Sequence, residues 1–354
     1  MKILVTGTEG YLGSLLAPIL MREGHDLLAV DTGFYKSGWL YHGAPMTPRT
    51  LNKDIRQISA ADLEDVEAVV HMAELSNDPT GELAPHITYE INHKGSVRLA
   101  ALAREAKVKR FVYMSSCSVY GLAAESYVTE ESPVNPQTAY AVCKTLVERD
   151  LKLMADDDFS PTFLRNATAY GASPRMRFDI VLNNLAGLAW TTREIKMVSD
   201  GTPWRPLVHG LDIAQAIVRT LAAPREAIHN QTFNVGETSL NYTIKEIAGI
   251  VAEVFPGCEL SFGKQGADNR SYRVSFDKIK ERLPGFECAW DARCGTQQLH
   301  DIFAQVELTP EAFTGRGFTR LKQLEYLIRT RQIDDNFFWQ DQALVPATTA
   351  TASS

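Results

Sequence analysis

Thr6-Gly7-Thr8-Glu9-Gly10-Tyr11-Leu12-Gly13 separates the apolar run Ile3-Leu4-Val5 from an amphipathic run over Ser14 to Arg22 that stops at Gly24. A strand, a GxxGxxG turn and a helix in that order have a physical reading. Gly7 permits a tight turn, Gly10 lets the backbone approach a pyrophosphate, and Gly13 lets the helix sit close on the strand. Tyr11 and Leu12 occupy the same turn, at a helix N-terminus whose free N–H groups favour an anion. The next apolar run, Leu27-Leu28-Ala29-Val30, ends on Asp31. An acid at that place accepts hydrogen bonds from the adenosine ribose hydroxyls and repels a 2′-phosphate, so the pattern predicts NAD rather than NADP.

Working outward, Ala68-Val-Val-His-Met72, Phe111-Val-Tyr-Met114 and Phe163-Leu164 read as further strands, with helices over Ser96 to Glu105 and Tyr140 to Met154. Near-continuous apolar strands alternating with helices predict a doubly wound, parallel α/β sheet covered on both faces. After residue 172 the rhythm loosens: prolines punctuate it, and helical patterns such as Leu240 to Phe255 dominate, although Gln231 to Gly236 still reads as strand and turn. The expected division is a cofactor domain over 1–171, with part of 205–236 returning to it. A smaller, mostly helical substrate-binding lobe is expected over 172–204 and 237–340, followed by a flexible tail at 341–354.

Composition excludes several classes. Of 354 residues, 45% are apolar and 22% charged, which suits an ordinary globular chain and not a disordered or fibrous one. The net charge of −7 argues against nucleic acid as a partner. No apolar run reaches the ~20 residues of a membrane span, and the chain opens on a strand with no secretory n-region or h-region. Five cysteines without CxxC spacing suit free thiols and a cytoplasmic setting. Eight histidines without HxxxH or HExxH grouping give no metal site, and His71, inside a buried strand pattern, reads as a satisfied core residue. The aromatics around Phe318 and Phe337-Phe338-Trp339 suit an interlobe contact or a homodimer interface.

Tyr140-Ala-Val-Cys-Lys144 places phenol and ammonium on one helix face, where the ammonium favours phenolate and draws the tyrosine toward the working range of a general base. Ser115-Ser-Cys-Ser-Val-Tyr-Gly121 follows a parallel strand, at the sheet edge where open α/β folds bind ligands. Together with Asp54-Ile55, His71-Met-Ala-Glu74, Asn92, Gly201-Thr-Pro-Trp-Arg-Pro-Leu-Val-His209 and Asp268-Asn-Arg-Ser-Tyr-Arg273, these stretches resemble the extended short-chain dehydrogenase/reductase family, in its nucleotide-sugar epimerase/dehydratase branch.

The resemblance covers roughly residues 1–280. It implies a Rossmann domain, Tyr140 as base, Lys144 on the nicotinamide ribose, and Ser116 on the sugar hydroxyl. It also implies Asp54 and Ile55 near the adenine, with Met72, Ala73 and Ser115 at the cofactor. Glu74 and Ser118 would face the sugar, while Asn184, Arg205 and Arg270 would hold the nucleotide phosphates. Thr168 stands where many relatives carry asparagine, and Pro206 where the substrate motif carries aspartate. Family dehydratases place an Asp-Glu acid/base pair where this chain has Cys117-Ser118. The resemblance therefore favours NAD-dependent epimerisation of a nucleotide sugar, at C4, over a 4-ketoreductase, a dehydratase or a non-catalytic binding scaffold.

Overall fold

The computed structural model describes residues 1–43, 48–123, 127–264 and 271–340. Seven strands form one sheet: β1 (Lys2–Thr6), β2 (Asp26–Asp31), β3 (Thr50–Asn52), β4 (Ala68–His71), β5 (Arg110–Ser116), β6 (Ser160–Asn166) and β7 (Gln231–Val235). Their order is β7-β6-β5-β4-β1-β2-β3, and every pairing is parallel. This is the doubly wound sheet expected from the sequence, and the chain reverses its direction of growth between β1 and β4.

Alternate residues of each strand feed two cores. Ile3, Val5, Val70, Val112 and Leu164 pack beneath α1 (Gly13–Arg22) on one face. Leu4, Val69, Phe111 and Phe163 pack on the other, against α2 (Ser96–Glu105) and α3 (Ala139–Met154). Burial on both faces is why these strands read as unbroken apolar runs. α4 (Gly210–Ala222) joins α1 on the first face through Ile213 and Ile217. A third core around Tyr170, Phe178, Leu185, Ile247 and Phe303 belongs to the segments after residue 170.

Two features depart from the sequence reading. The helix expected over 240–255 begins at Ile244, because Thr243 and Glu246 form a reciprocal capping box, and Asn241–Thr243 pairs antiparallel with the strand Trp204–His209. Residues 320–340, expected in the substrate lobe, pack on the sheet instead. α5 (Arg320–Arg329) contributes Leu324 and Leu327 to the Leu4/Val69 core, followed by Ile333 and Phe337. Trp339 donates its indole N–H to Thr32 O at 2.6 Å, and Phe318 stacks edge-on against Phe178 at 5.6 Å. These aromatics are engaged within the chain. Residues 341–354, read as a tail, lie outside the described residues. Among the described residues no helix is long and apolar enough to cross a membrane.

Candidate active site

The glycine turn is as close-packed as its spacing implies. A Cβ on Gly13 would lie 2.2 Å from Gly7 O, so only glycine lets α1 begin there. Gly7 has φ +80°, and a Cβ on it would meet Ala73 N at 3.0 Å, which brings the turn against the end of β4.

Buried hydrogen bonds hold that junction. Thr6 Oγ1 accepts from Met72 N and Ala73 N, both at 3.1 Å, and lies 2.7 Å from His71 Nδ1. His71 Nε2 lies 2.8 Å from Ser96 Oγ, which donates to Asn92 O at 2.7 Å. These contacts form one directed chain if the Thr6 hydroxyl donates to Nδ1 and Nε2–H donates to Ser96, as a neutral imidazole allows. Burial pushes the His71 pKa down to about 3, in keeping with that neutral form. Asn92 then clamps the next loop, accepting from Leu75 N at 2.9 Å and donating to Leu75 O at 3.0 Å.

A cavity of about 650 Å³ opens at the C-terminal ends of β1, β4, β5 and β6, at the point where the strand order reverses. Every cofactor residue expected from the sequence lines it, from Gly7 and Asp31 through Asp54 and Met72 to Ser115, Tyr140 and Lys144. Ser116, Ser118, Glu74 and Arg205 line it too. Asn184 does not line it: its amide donates to Phe178 O at 2.9 Å, within its own lobe. Arg270 lies outside the described residues.

Around Tyr140 the geometry is specific. Thr138 caps α3 and fixes where the helix begins, so Tyr140 falls on its first turn and Lys144 one turn later. Lys144 is 4% exposed; its ammonium donates to Met114 O and pairs with Glu74 at 2.6 Å. The Nζ lies 5.4 Å from the Tyr140 ring centroid. Ser116 Oγ accepts from Ser118 N at 3.1 Å, which orients the hydroxyl at the end of β5.

The electrostatics correct one expectation. Burial holds the Tyr140 phenol above its ordinary 10, against the opposing pull of Lys144 and a hydrogen bond with Ser116, while Glu74 and Asp78 push it further up. The ammonium acts in the expected direction, but desolvation is larger. Lys144 itself is raised: burial, the largest single influence, works against its charge, and Glu74, Tyr140 and Cys143 together more than offset it.

Glu74, expected to face the sugar, lines the cavity with its carboxylate held by two neighbours. Its side chain is 2% exposed, bonded to Lys144 and accepting from Tyr113 Oη at 2.7 Å. Cys117 is 1% exposed with its thiol directed at Arg165 O, and burial holds that thiol far above the usual range.

Several lining residues carried no motif. Arg177 and Asp179 pair at 2.8 Å, and Arg177 also donates to Ser76 Oγ at 3.2 Å. The Arg-x-Asp spacing of Arg177 and Asp179 was the local signal for this pair. Asn166, two residues before the flagged Thr168, lines the cavity with its amide donating to Ser115 O at 3.2 Å. The buried Asn166 Oδ1 and Ser118 Oγ have no hydrogen-bond partner among the described residues. Two unpartnered polar atoms on the wall of a cavity with a glycine cradle fit a bound dinucleotide and a polar substrate.

The fold and this site define a dinucleotide-dependent enzyme. The chain belongs to the NAD dependent epimerase/dehydratase family, whose model matches residues 3–236, and NAD is its cofactor. A UDP-glucose 4-epimerase of Mycolicibacterium smegmatis is 31% identical over 269 residues, 71% of this chain and 83% of that protein. A UDP-glucose 4-epimerase of Bacillus subtilis is 26% identical over 324 residues, 84% of this chain and 94% of that protein. The solved structure of MoeE5 in complex with UDP-glucuronic acid and NAD superposes with a TM-score of 0.74, at 26% identity, over 87% of this chain and all of that one.

Proposed function

We propose that this enzyme inverts C4 of a nucleotide-activated sugar by way of a transient 4-keto intermediate. The observation that carries the reading is the state of the carboxylates lining the cavity. Among the described residues each already has a partner: Asp31 the backbone N–H groups of Glu9 and Gly33, Asp54 the Arg56 guanidinium, Glu74 Lys144, Asp78 the Thr138 hydroxyl, and Asp179 Arg177. Cys117 is buried, and burial holds its thiol far above the usual range. Among the described residues no uncommitted carboxylate pair lines the cavity to eliminate water, whereas oxidation and reduction at one carbinol need only a hydroxyl, a phenol and an ammonium.

Tyr140 takes the O4 proton as the carbinol is oxidised and returns it as the carbonyl is reduced from the other face. Ser116 aligns O4 for that transfer, and Lys144 stabilises the phenolate while binding the nicotinamide ribose. NAD, when bound, supplies the hydride acceptor and donor, together with a positive charge that favours the phenolate. Asp31 accepts from the adenosine ribose, and Asp54 and Ile55 flank the adenine. Arg205 holds the nucleotide phosphates, with Arg270 as its sequence-assigned companion. The relatives named above act on UDP-glucose or bind UDP-glucuronic acid, which supports a UDP-hexose or UDP-hexuronate as substrate.

The test is incubation of the enzyme, carrying its copurified NAD, with UDP-, dTDP-, GDP- and CDP-sugars, followed by NMR of the sugar ring. A C4 epimer formed without added NADH is expected. A 4-keto-6-deoxy product would replace the proposal with a dehydratase, and stoichiometric NADH consumption would replace it with a 4-ketoreductase.

A further inference from the structure

Arg320 opens α5, well beyond the segment matched by the family model, yet its side chain lines the cofactor cavity. The residue is 2% exposed, and its Nη1 and Nη2 are buried without a hydrogen-bond partner among the described residues. Its guanidinium carbon stacks 4.2 Å over the Tyr35 ring, which fixes the plane of the fork but offers no acceptor.

The acids nearby are already committed. Asp179 Oδ1 accepts from Arg177 Nε at 2.8 Å, and Asp179 Oδ2 accepts from Asn77 Nδ2 at 2.9 Å and from the Arg320 backbone N–H at 3.3 Å. Asp31 accepts from Gly33 N at 2.8 Å and Glu9 N at 3.0 Å. Arg177 adds a second positive charge close to Arg320.

Burying a guanidinium without a partner costs several kcal/mol, and such a group persists where a ligand completes it. A paired, planar set of N–H donors matches two oxygens of one phosphate. The turn at Gly10 to Gly13 lines the same cavity and presents the N-terminus of α1, itself an anion site. Burial and the nearby Arg177 charge lower the Arg320 pKa to about 10, and Tyr35, Asp179 and Asp31 offset them only in part.

We propose that Arg320 binds the pyrophosphate of the dinucleotide, so that α5, from outside the N-terminal cofactor motifs, retains NAD on the enzyme. Asp31, assigned to the adenosine ribose, disfavours a 2′-phosphate at that ribose. The proposal rests on the cofactor and not on the reaction at the sugar, so it stands or falls apart from C4 epimerisation.

The test compares NAD, NADP, ADP-ribose and adenosine binding to wild type, R320Q and R320K after removal of copurified NAD. For R320Q, NAD and ADP-ribose affinity should each fall at least tenfold, adenosine affinity should be unchanged, and the NAD content of purified enzyme should drop. R320K should recover part of the loss. The melting temperature of the NAD-free R320Q protein should equal or exceed that of wild type, since an uncompensated buried charge is removed.

Unchanged NAD affinity would overturn the proposal. So would a parallel loss for adenosine, which would mark a structural role, or a loss confined to NADP, which would place the 2′-phosphate there. If R320Q does not fold, R320K carries the test: its point charge should bind NAD several-fold more weakly with adenosine unchanged, and equal NAD affinity would overturn the assignment.

Discussion

Replacing Tyr140 by phenylalanine is expected to lower turnover about a thousand-fold while NAD remains bound, since a positioned general acid/base contributes roughly 10²–10⁴. The substitution removes one oxygen and keeps the ring, so the first turn of α3 and its contact with Gly81, where a Cβ would come within 3.3 Å of Tyr140 Cβ, are undisturbed. Lys144 keeps Glu74 and Met114 O as partners, so the ammonium stays in place. What is lost is the phenol that hydrogen-bonds with Ser116, and with it the group that takes and returns the proton. The phenol is held above its ordinary pKa in the absence of ligands, so wild-type turnover should rise with pH through the neutral range, and the residual rate of Tyr140→Phe should lose that dependence. Stopped-flow and steady-state rates measure both. Full activity in the variant would remove Tyr140 from the base role.

The second large effect falls on stability. Behind the catalytic strand, Glu148 on α3 accepts from Ser115 Oγ at 2.5 Å and forms a two-pronged pair with Arg165, through Nε at 2.9 Å and Nη2 at 2.7 Å. Arg165 also donates to Tyr120 Oη at 2.9 Å, and Tyr120 donates to Asn234 Oδ1 at 2.7 Å. Both charged side chains are about 5% exposed or less. Glu148→Ala leaves a buried guanidinium without its carboxylate, which costs about 3–5 kcal/mol. In a chain of this size that corresponds to a fall in melting temperature of roughly 5–10 °C. Pairing Glu148→Leu with Arg165→Met should recover most of the loss, because an apolar pair of similar volume carries no desolvation cost. A melting temperature within a degree of wild type for Glu148→Ala would show that the network does not hold the strand end.

The elements written in local patterns are legible in the sequence itself. The helix Ser96–Glu105 has the bounds its periodicity predicts, and β1, the glycine turn and Asp31 lie together at the cavity as their spacing requires. Long-range partnerships are not. Nothing around Glu74 announces that its carboxylate meets an ammonium 70 positions later. The place of Asn184, whose amide donates to Phe178 O, was hidden for a related reason. A one-residue step turns a helix by about 100°, so a motif match on a helix says little about which way an amide faces. The core that receives Leu324 and Leu327 of α5 is chosen by long-range packing, and Arg320 sits in no motif. The start of the helix at Ile244 was legible after all, since Thr243-Ile-Lys-Glu246 is a capping box.

The central claim is a hydride that leaves C4 and returns to C4. A substrate deuterated at C4, converted by enzyme carrying only its own NAD, tests it most directly. The expected result is full retention of deuterium at C4 of the epimerised product, with none in the solvent and none in free NADH. Deuterium found at C6, or on released cofactor, would contradict the account.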